Sequence, residues 1–376
     1  MHKILVLNLG STSTKLSYYE DDKSVFKTNI EHPVSETRAF KSFMDQDQYR
    51  IDYIKKFMEE NDIKPEELDA IVSRGGHTKP LVGGVYKVCP EMLEQQASGL
   101  YGLHPCDLGS KIAYELASQC KAIPLIVDPP ITDEFEPLAR LSGHPLINRR
   151  SSFHALSHKA TAKRYARENN LRYEDLNLVV VHMGGGISVA PHKKGRMVDG
   201  DNGLEGDGAF STNRSGALPV GDLVRLCFSG KYSYEQIHKM INGEGGLYAY
   251  LGESDVKSIA ETAKTDQKAR VCLDAMVYQT CKAIGAQSAV LKGKVDAILI
   301  TGGIAYNKEI VETIRDHCGF IAPIVVYPGE NEMESLARGA LEGLQGKAEI
   351  KDFVACANEG EKQENSYKFP FPPKTT

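Results

Sequence analysis

The 376-residue chain has no CxxC pair, no apolar run approaching a membrane span and no GxxxxGK[ST] nucleotide loop. Each absence closes off a class. Its cysteines, at 89, 106, 120, 227, 272, 281, 318 and 356, are too scattered for a zinc or disulfide framework and read as reduced, mostly buried thiols. The opening MHKILVLNLG has too short an apolar stretch for a secretory leader, so a cytoplasmic location without membrane partners is expected. Basic surplus is missing too: 45 Lys and Arg against 50 Asp and Glu give a net charge of −5, which argues against nucleic acid as a partner. The composition, 41% hydrophobic and 25% charged, is that of a soluble globular protein, and the length exceeds one core, so two domains are expected.

What is present starts at NLGSTSTKLSYYE, residues 8–20. Leu16 and Tyr18 alternate with Ser17 and Tyr19, so Ile4–Leu7 and Lys15–Tyr19 read as two strands joined by a hydroxyl-rich turn. Such a turn holds phosphate when backbone N–H groups and hydroxyls converge on it, and is otherwise a plain surface hairpin. The layout returns in LNLVVVHMGGGISVAPHKKGRMVDG, 176–200, with Asn8 set against His182 and Gly10 against Gly184. A third glycine turn closes VDAILITGGIAYNKEIVETI, 295–314, as buried strand, Gly-Gly turn and helix, and a helix start after glycines suits an anion or nucleotide. Helices are read at Arg50–Glu60, Cys106–Cys120, 153–169, within 255–292, and at 331–346. The polar, proline-rich end after 346 reads as a loose or surface-bound tail.

Two such hairpins half a chain apart, with the late Gly-Gly turn, resemble the superfamily of actin, the heat-shock ATPases and the sugar and acetate kinases. The resemblance implies an α/β protein of two actin-like (ribonuclease H-like) domains, mixed sheets flanked by helices, with a nucleotide cleft between them. The implied division is 1–148 plus 333–376 for the first domain and 149–332 for the second.

Longer stretches narrow the resemblance. SRGGHTKPLVGGVYKV (73–88), GLHPCDLGSKIAYELA (102–117), IVDPPITDEF (126–135), FHALSHKATAKRYA (153–166) and STNRSGALPVGDLVRLCFSGKY (211–232) look like the butyrate kinase branch of the acetate and butyrate kinase family. That likeness implies ATP/ADP and Mg²⁺ as cofactors, a short-chain acid as substrate, and a homo-oligomer. A planar anionic acceptor calls for arginine's rigid fork, and the candidates are Arg74, ending AIVSR, and Arg214, in NRSG. A carboxylate is already ionised at pH 7, so no general base is needed, whereas a sugar kinase uses an aspartate for that purpose. Asp128 either orients the metal and its water or caps the turn before Pro-Pro.

By resemblance His154 contacts the transferring phosphoryl group, His158 supports its helix, and His104 matches a histidine of the acetate kinase site. His182 either faces the phosphates or is a satisfied, partly buried histidine. The same resemblance assigns Ser11, Ser13 and Lys15 to the first phosphate turn and Gly184, Gly185 and Gly186 to the second. It places Gly302, Gly303 and Asn307 around the nucleotide and Asn8 and Glu332 near the metal, with Glu334 the alternative to Glu332. Where acetate kinases carry an asparagine in the second turn, this chain has Gly185, and their FHGTSH is here FHALSH. These departures point to the butyrate branch without fixing acyl length, so isobutyrate, another branched or aromatic acid, or acetate stays open as acceptor. A chaperone-like binding protein, the rival of another class, would need a client domain that the short polar end does not supply.

Overall fold

A computed structural model of the chain describes residues 1–10, 12–40, 42–101, 105–204, 206–329 and 331–356. In chain order the strands are β1 (Lys3–Leu9), β2 (Ser13–Glu20), β3 (Lys23–Glu31), β4 (Ala70–Ser73), β5 (Val85–Lys87), β6 (Ile123–Val127), β7 (Leu141–His144) and β8 (Ile147–Asn148). They continue as β9 (Asn177–Met183), β10 (Ile187–Lys193), β11 (Arg196–Met197), β12 (Ala297–Gly302), β13 (Ile324–Pro328) and β14 (Ile350–Lys351). The chain divides into two compact units, Met1–Asp133 with Asn331–Thr376, and Glu134–Glu330.

The first unit holds a seven-stranded sheet in the order β14-β5-β6-β4-β1-β2-β3. The pairs β1–β2 and β2–β3 are antiparallel, while β1–β4 and β4–β6 are parallel. The second unit's five-stranded sheet runs β11-β10-β9-β12-β13, with two antiparallel and then two parallel pairings. The five-strand run from β3 to β6 therefore has the same order and directions as the whole second sheet. In this shared plan Asn8 and His182 each occupy the penultimate position of their strand.

Strands β1 and β9 are buried on two faces, which is why they read as continuous apolar runs. Helices Asp47–Glu60 and Pro105–Ser118 bring Ile51, Ile54, Phe57, Leu108 and Ile112 onto Leu5, Leu7, Leu16 and Ile71. Helix Glu332–Leu344 packs against β1 and β6. In the second unit the strand period of two sends Val179 and Val181 into the core with helix Gln267–Val290, and Leu178 and Val180 toward helix Ala155–Glu168. Each of these fully buried valines and leucines contributes about 1.5–3 kcal/mol.

Two expectations change. The end of the chain is not loose over its described part. Ile350–Lys351 pairs in parallel with β5, Lys351 Nζ donates to the Gly83 carbonyl at 2.8 Å, and Phe353 is buried beside Leu81, Tyr86 and Met92. Residues 357–376 lie outside the described residues. The division between units falls at 133/134 and 330/331, against 148/149 and 332/333 from the sequence. The segment from 134 goes with the second unit because Phe135 and Ala139 share a core with Phe153, Ala155, Ala190 and Met197.

Candidate functional site

The sequence-derived residues collect at the carboxyl ends of parallel strands in each unit, the place where open α/β sheets bind ligands. In the first unit Asn8 is near the end of β1, Arg74 follows β4 and Asp128 follows β6. Asn8 is buried, and its Nδ2 donates to Glu332 Oε2 at 2.6 Å. The other oxygen of Glu332 lies 3.7 Å from Arg74 NH1. Asn8, Arg74 and Glu332 thus form one polar group, with Glu332 on the first turn of the helix that begins there. Glu334 is exposed. Lys15 stands opposite Asn8 across the β1–β2 register and is exposed.

Asp128 is buried at φ 40°, a left-handed backbone that few residues other than glycine adopt and that aspartate tolerates. Two bonds with Gly84 hold it there: its N–H donates to the Gly84 carbonyl at 2.9 Å, and its Oδ1 accepts the Gly84 N–H at 2.8 Å. Backbone strain of this kind is kept where the surroundings over-determine it, as in binding sites.

The β1–β2 connection has a brace that the sequence reading missed. Arg50, almost wholly buried on helix Asp47–Glu60, donates to the Ser13 carbonyl at 3.0 Å, to Thr14 Oγ1 at 2.7 Å and to the Gly10 carbonyl at 3.4 Å. Thr14 Oγ1 also meets His32 Nε2 at 2.8 Å. Burial, and then the Arg50 charge, push His32 down to about 4. Arg50 thus ties the Gly10 and Ser13 carbonyls to one guanidinium. Ser11 and His104 lie outside the described residues.

Beside Arg74, His77, Cys106 and Asp107 bring ligand-type atoms within 4.8 Å of one another. Asp107 is fully buried and accepts the His77 backbone N–H at 2.5 Å, with His77 Nδ1 at 3.3 Å. Burial, aided by the Asp107 charge, pushes the Cys106 thiol up to about 12. By accepting the His77 N–H, the buried Asp107 carboxylate anchors the chain after Arg74.

In the second unit His154, His182, Arg214 and the glycines 184–186 come together. The rings of His154 and His182 stack at 3.9 Å between centroids. His182 Nδ1 meets Ser157 Oγ at 2.9 Å, and His154 Nδ1 meets Ser188 Oγ at 3.0 Å. His182 is thus both buried and fixed by a hydroxyl.

Arg214 NH1 donates to the Gly203 carbonyl at 2.6 Å, and among the described residues its Nε has no partner and no carboxylate pairs with it. Burial pushes its guanidinium below the usual arginine range. Gly186 is what admits it: a methyl there would overlap Arg214 NH1. A methyl on Gly185 or Gly303 would meet nothing within 4 Å, so both border open space.

Gly302 has φ +94°, and any side chain would run into the Met183 backbone, which lets the two strand ends lie close. Asn307 is the N-cap of helix Lys308–Cys318, its Oδ1 accepting the Ile310 N–H at 3.1 Å. The second-unit group lies with β9, β10 and β12, and the first-unit group with β1, β4 and β6.

A model of the acetokinase family matches residues 140–327. The chain is 46% identical over 354 residues to Butyrate kinase 1 of Clostridium acetobutylicum, covering 94% of this chain and 100% of that one. Butyrate kinase 2 of the same organism is 47% identical over 352 residues, 93% and 99% of the two chains. Among solved structures, Porphyromonas gingivalis acetate kinase superposes with a TM-score of 0.76 at 20% identity, covering 90% of this chain and 99% of that chain. A propionate kinase from Francisella tularensis gives 0.72 at 20% identity, with 90% and 99% covered. At such identity these structures speak for the fold, which is the two-domain actin-like one.

Proposed function

The chain belongs to the acetokinase family, and from that premise we propose that it transfers the γ-phosphoryl group of ATP reversibly to the carboxylate of butyrate, giving butyryl phosphate and ADP. The likeness to two butyrate kinases along nearly the whole chain supports the acceptor. The observation that carries phosphoryl chemistry is Arg214, a largely buried cation against a glycine turn with no carboxylate among the described residues to balance it. A desolvated guanidinium without a counter-ion is costly, and a bound anionic group removes that cost.

In this reading Arg74 holds the acid by its carboxylate. A carboxylate oxygen attacks the γ-phosphorus in line, and the bond from that phosphorus to the β–γ bridging oxygen breaks, leaving ADP. No proton needs removing from the acid at pH 7. Arg214 and His154 donate to the phosphoryl oxygens as charge spreads over them. The turn braced by Arg50 and the turn at Gly184–Gly186 hold the phosphates through backbone N–H groups.

Asn8 and Glu332 would hold Mg²⁺, and Asp128 would help to orient it. The donors there are amide and carboxylate oxygens, the hard ligands that ion prefers, and few enough to leave it water and phosphate. When bound, it neutralises phosphate charge. Asp128→Asn should therefore alter the metal dependence of the rate. A change confined to the pH–rate profile would instead make Asp128 a base.

A cytoplasmic location and a homo-oligomer belong to the same proposal. Among the described residues of helix Val220–Cys227 none is buried, and Val220, Val224 and the following Phe228 are exposed. Light scattering on the wild type and on Phe228→Glu tests that face.

The decisive experiment is a hydroxamate assay of acyl phosphate formed from ATP with butyrate, isobutyrate, branched and aromatic acids, and acetate. Highest kcat/KM on butyrate is the expected result. Preference for another acid moves the acceptor within the family, and no acyl phosphate from any of them ends the proposal.

A further inference from the structure

Ser188 has a single hydroxyl proton and two imidazoles to serve. Its side chain is fully buried, and its Oγ lies 3.0 Å from His154 Nδ1 and 2.9 Å from His158 Nε2. The fold makes this unavoidable: Ser188 stands opposite His182 across the β9–β10 ladder, while Ile187 and Val189 enter the core on the other face. His154 and His158 lie one turn apart on the Ala155–Glu168 helix and its N-cap.

A hydroxyl donates one hydrogen bond and accepts others, so two arrangements are open. If Ser188 donates to His158 Nε2, then the proton of His158 sits on Nδ1, and His154 donates from its own Nδ1. If Ser188 donates to His154 Nδ1, then His158 donates from Nε2, and the proton of His154 sits on Nε2.

The surroundings of His158 decide between them. Its Nδ1 is buried and, among the described residues, has no hydrogen-bond partner. An orphaned N–H is rarer and less tolerated in protein interiors than an under-used acceptor, so that nitrogen carries the lone pair. His158 is also neutral: burial foremost, and then His192 and His182, push it well below the usual histidine range. Among the described residues no carboxylate offsets this. The His192 ring stacks on it at 5.8 Å with its Nδ1 bonded to the Tyr173 hydroxyl at 2.7 Å, and Phe153 meets it edge-on. The nearby Glu134 is held by Lys159 at 2.8 Å and by the Met197 N–H at 2.8 Å.

We propose that His158 and Ser188 form a one-way hydrogen-bond relay that fixes His154 as its Nε2–H tautomer, presenting a donor on the ring edge away from Ser188. This rests on the reading that His154 contacts the transferring phosphoryl group. A phosphoryl oxygen needs a donor there, and the opposite tautomer would offer it a lone pair. Ser188 and His158 are accordingly positioning residues, and His154 is the catalytic one.

The test is nitrogen NMR of the full-length enzyme labelled with ¹⁵N-histidine, with His154→Gln used to assign the resonances. The expected wild-type spectrum has a protonated Nε2 and an unprotonated Nδ1 at His154. Ser188→Ala should mix the two forms and lower kcat about tenfold with little change in KM, in line with losing one oriented hydrogen bond. Ser188→Thr should restore both the spectrum and the rate. A wild-type His154 protonated on Nδ1, or one whose tautomer ignores Ser188→Ala, overturns the relay. A tautomer that mixes as expected while kcat stays unchanged leaves the relay standing and removes His154 from the phosphoryl transfer.

Discussion

Gly186→Ala is the change that displaces Arg214 without replacing it. The new methyl would overlap Arg214 NH1 and stand 3.1 Å from the Gly203 carbonyl oxygen. The end of a long side chain yields more readily than backbone, so the guanidinium moves and its 2.6 Å bond to Gly203 is lost. Gly186 is not among the glycines with positive φ, so alanine fits its backbone. One charged hydrogen bond is worth about 1.5–3 kcal/mol, which predicts a fall in Tm of several degrees and a protein still folded. Activity should suffer far more. Removing one preorganised donor to a developing oxyanion costs about 10²–10³ in kcat, the loss expected for Arg214→Ala. Gly186→Ala should lose about tenfold or more of the same, in kcat rather than in KM for the acid. Because both changes act through one group, the double variant should be within about threefold of Arg214→Ala. Steady-state hydroxamate kinetics on the four proteins reads all of this. Losses that multiply, or a Gly186→Ala enzyme within about twofold of wild type, would show that Arg214 does not work from where it lies.

Three further outcomes follow from buried polar groups. Arg50→Met should raise the KM for nucleotide and cost about 2–4 kcal/mol, because two carbonyls and a hydroxyl lose their donor; equal KM values in a folded variant would separate Arg50 from the phosphate turn. Glu134→Gln should destabilise the protein by about 3–5 kcal/mol by leaving Lys159 buried without its partner, whereas replacing both by apolar residues of similar size should recover much of the loss in thermal melts. On acidification from pH 6.5 toward 4, the unfolded chain takes up protons that His32, at about 4, and His192, pushed to about 3 by burial and then by Lys159, refuse in the fold. Stability is therefore full above 6.5 and falls below it, on the order of 2–3 kcal/mol from His32 by pH 4.5, and His32→Asn should flatten the dependence of Tm on pH.

The parts of this fold visible in the sequence were those whose burial has a period. The continuous apolar runs of β1 and β9 and the helical stripes at 105–118, 155–168 and 332–344 carry it plainly. Strand β3, KSVFKTNIE, escaped because it is an exposed edge with little burial to pattern it, entered through Asp21 in a left-handed turn rather than a glycine. Helix Val220–Cys227 lay inside a stretch read only as a motif and Tyr234–Ile241 just beyond it, and they bury almost nothing. At the site, glycine turns and motif arginines were legible because their residue types are scarce and their positions local. Arg50 was not, since the partners that brace the turn are carbonyls and a hydroxyl 36–40 residues away that no pattern in its own helix reports. Asn307 did carry a signal, an asparagine ahead of KEIVETI, which is the mark of an N-cap and assigns its oxygen to the helix.

Strand β14 gives the chain an order of assembly during synthesis. Glu134–Glu330 is one uninterrupted stretch and has all its strands as soon as residue 330 clears the ribosome. Met1–Asp133, made first, must wait for helix Glu332–Leu344 and for Ile350–Lys351 to reach β5, with those apolar surfaces uncovered meanwhile. The half born first is thus completed last, and a ribosome halted just short of residue 350 would release a protein with one raw sheet margin.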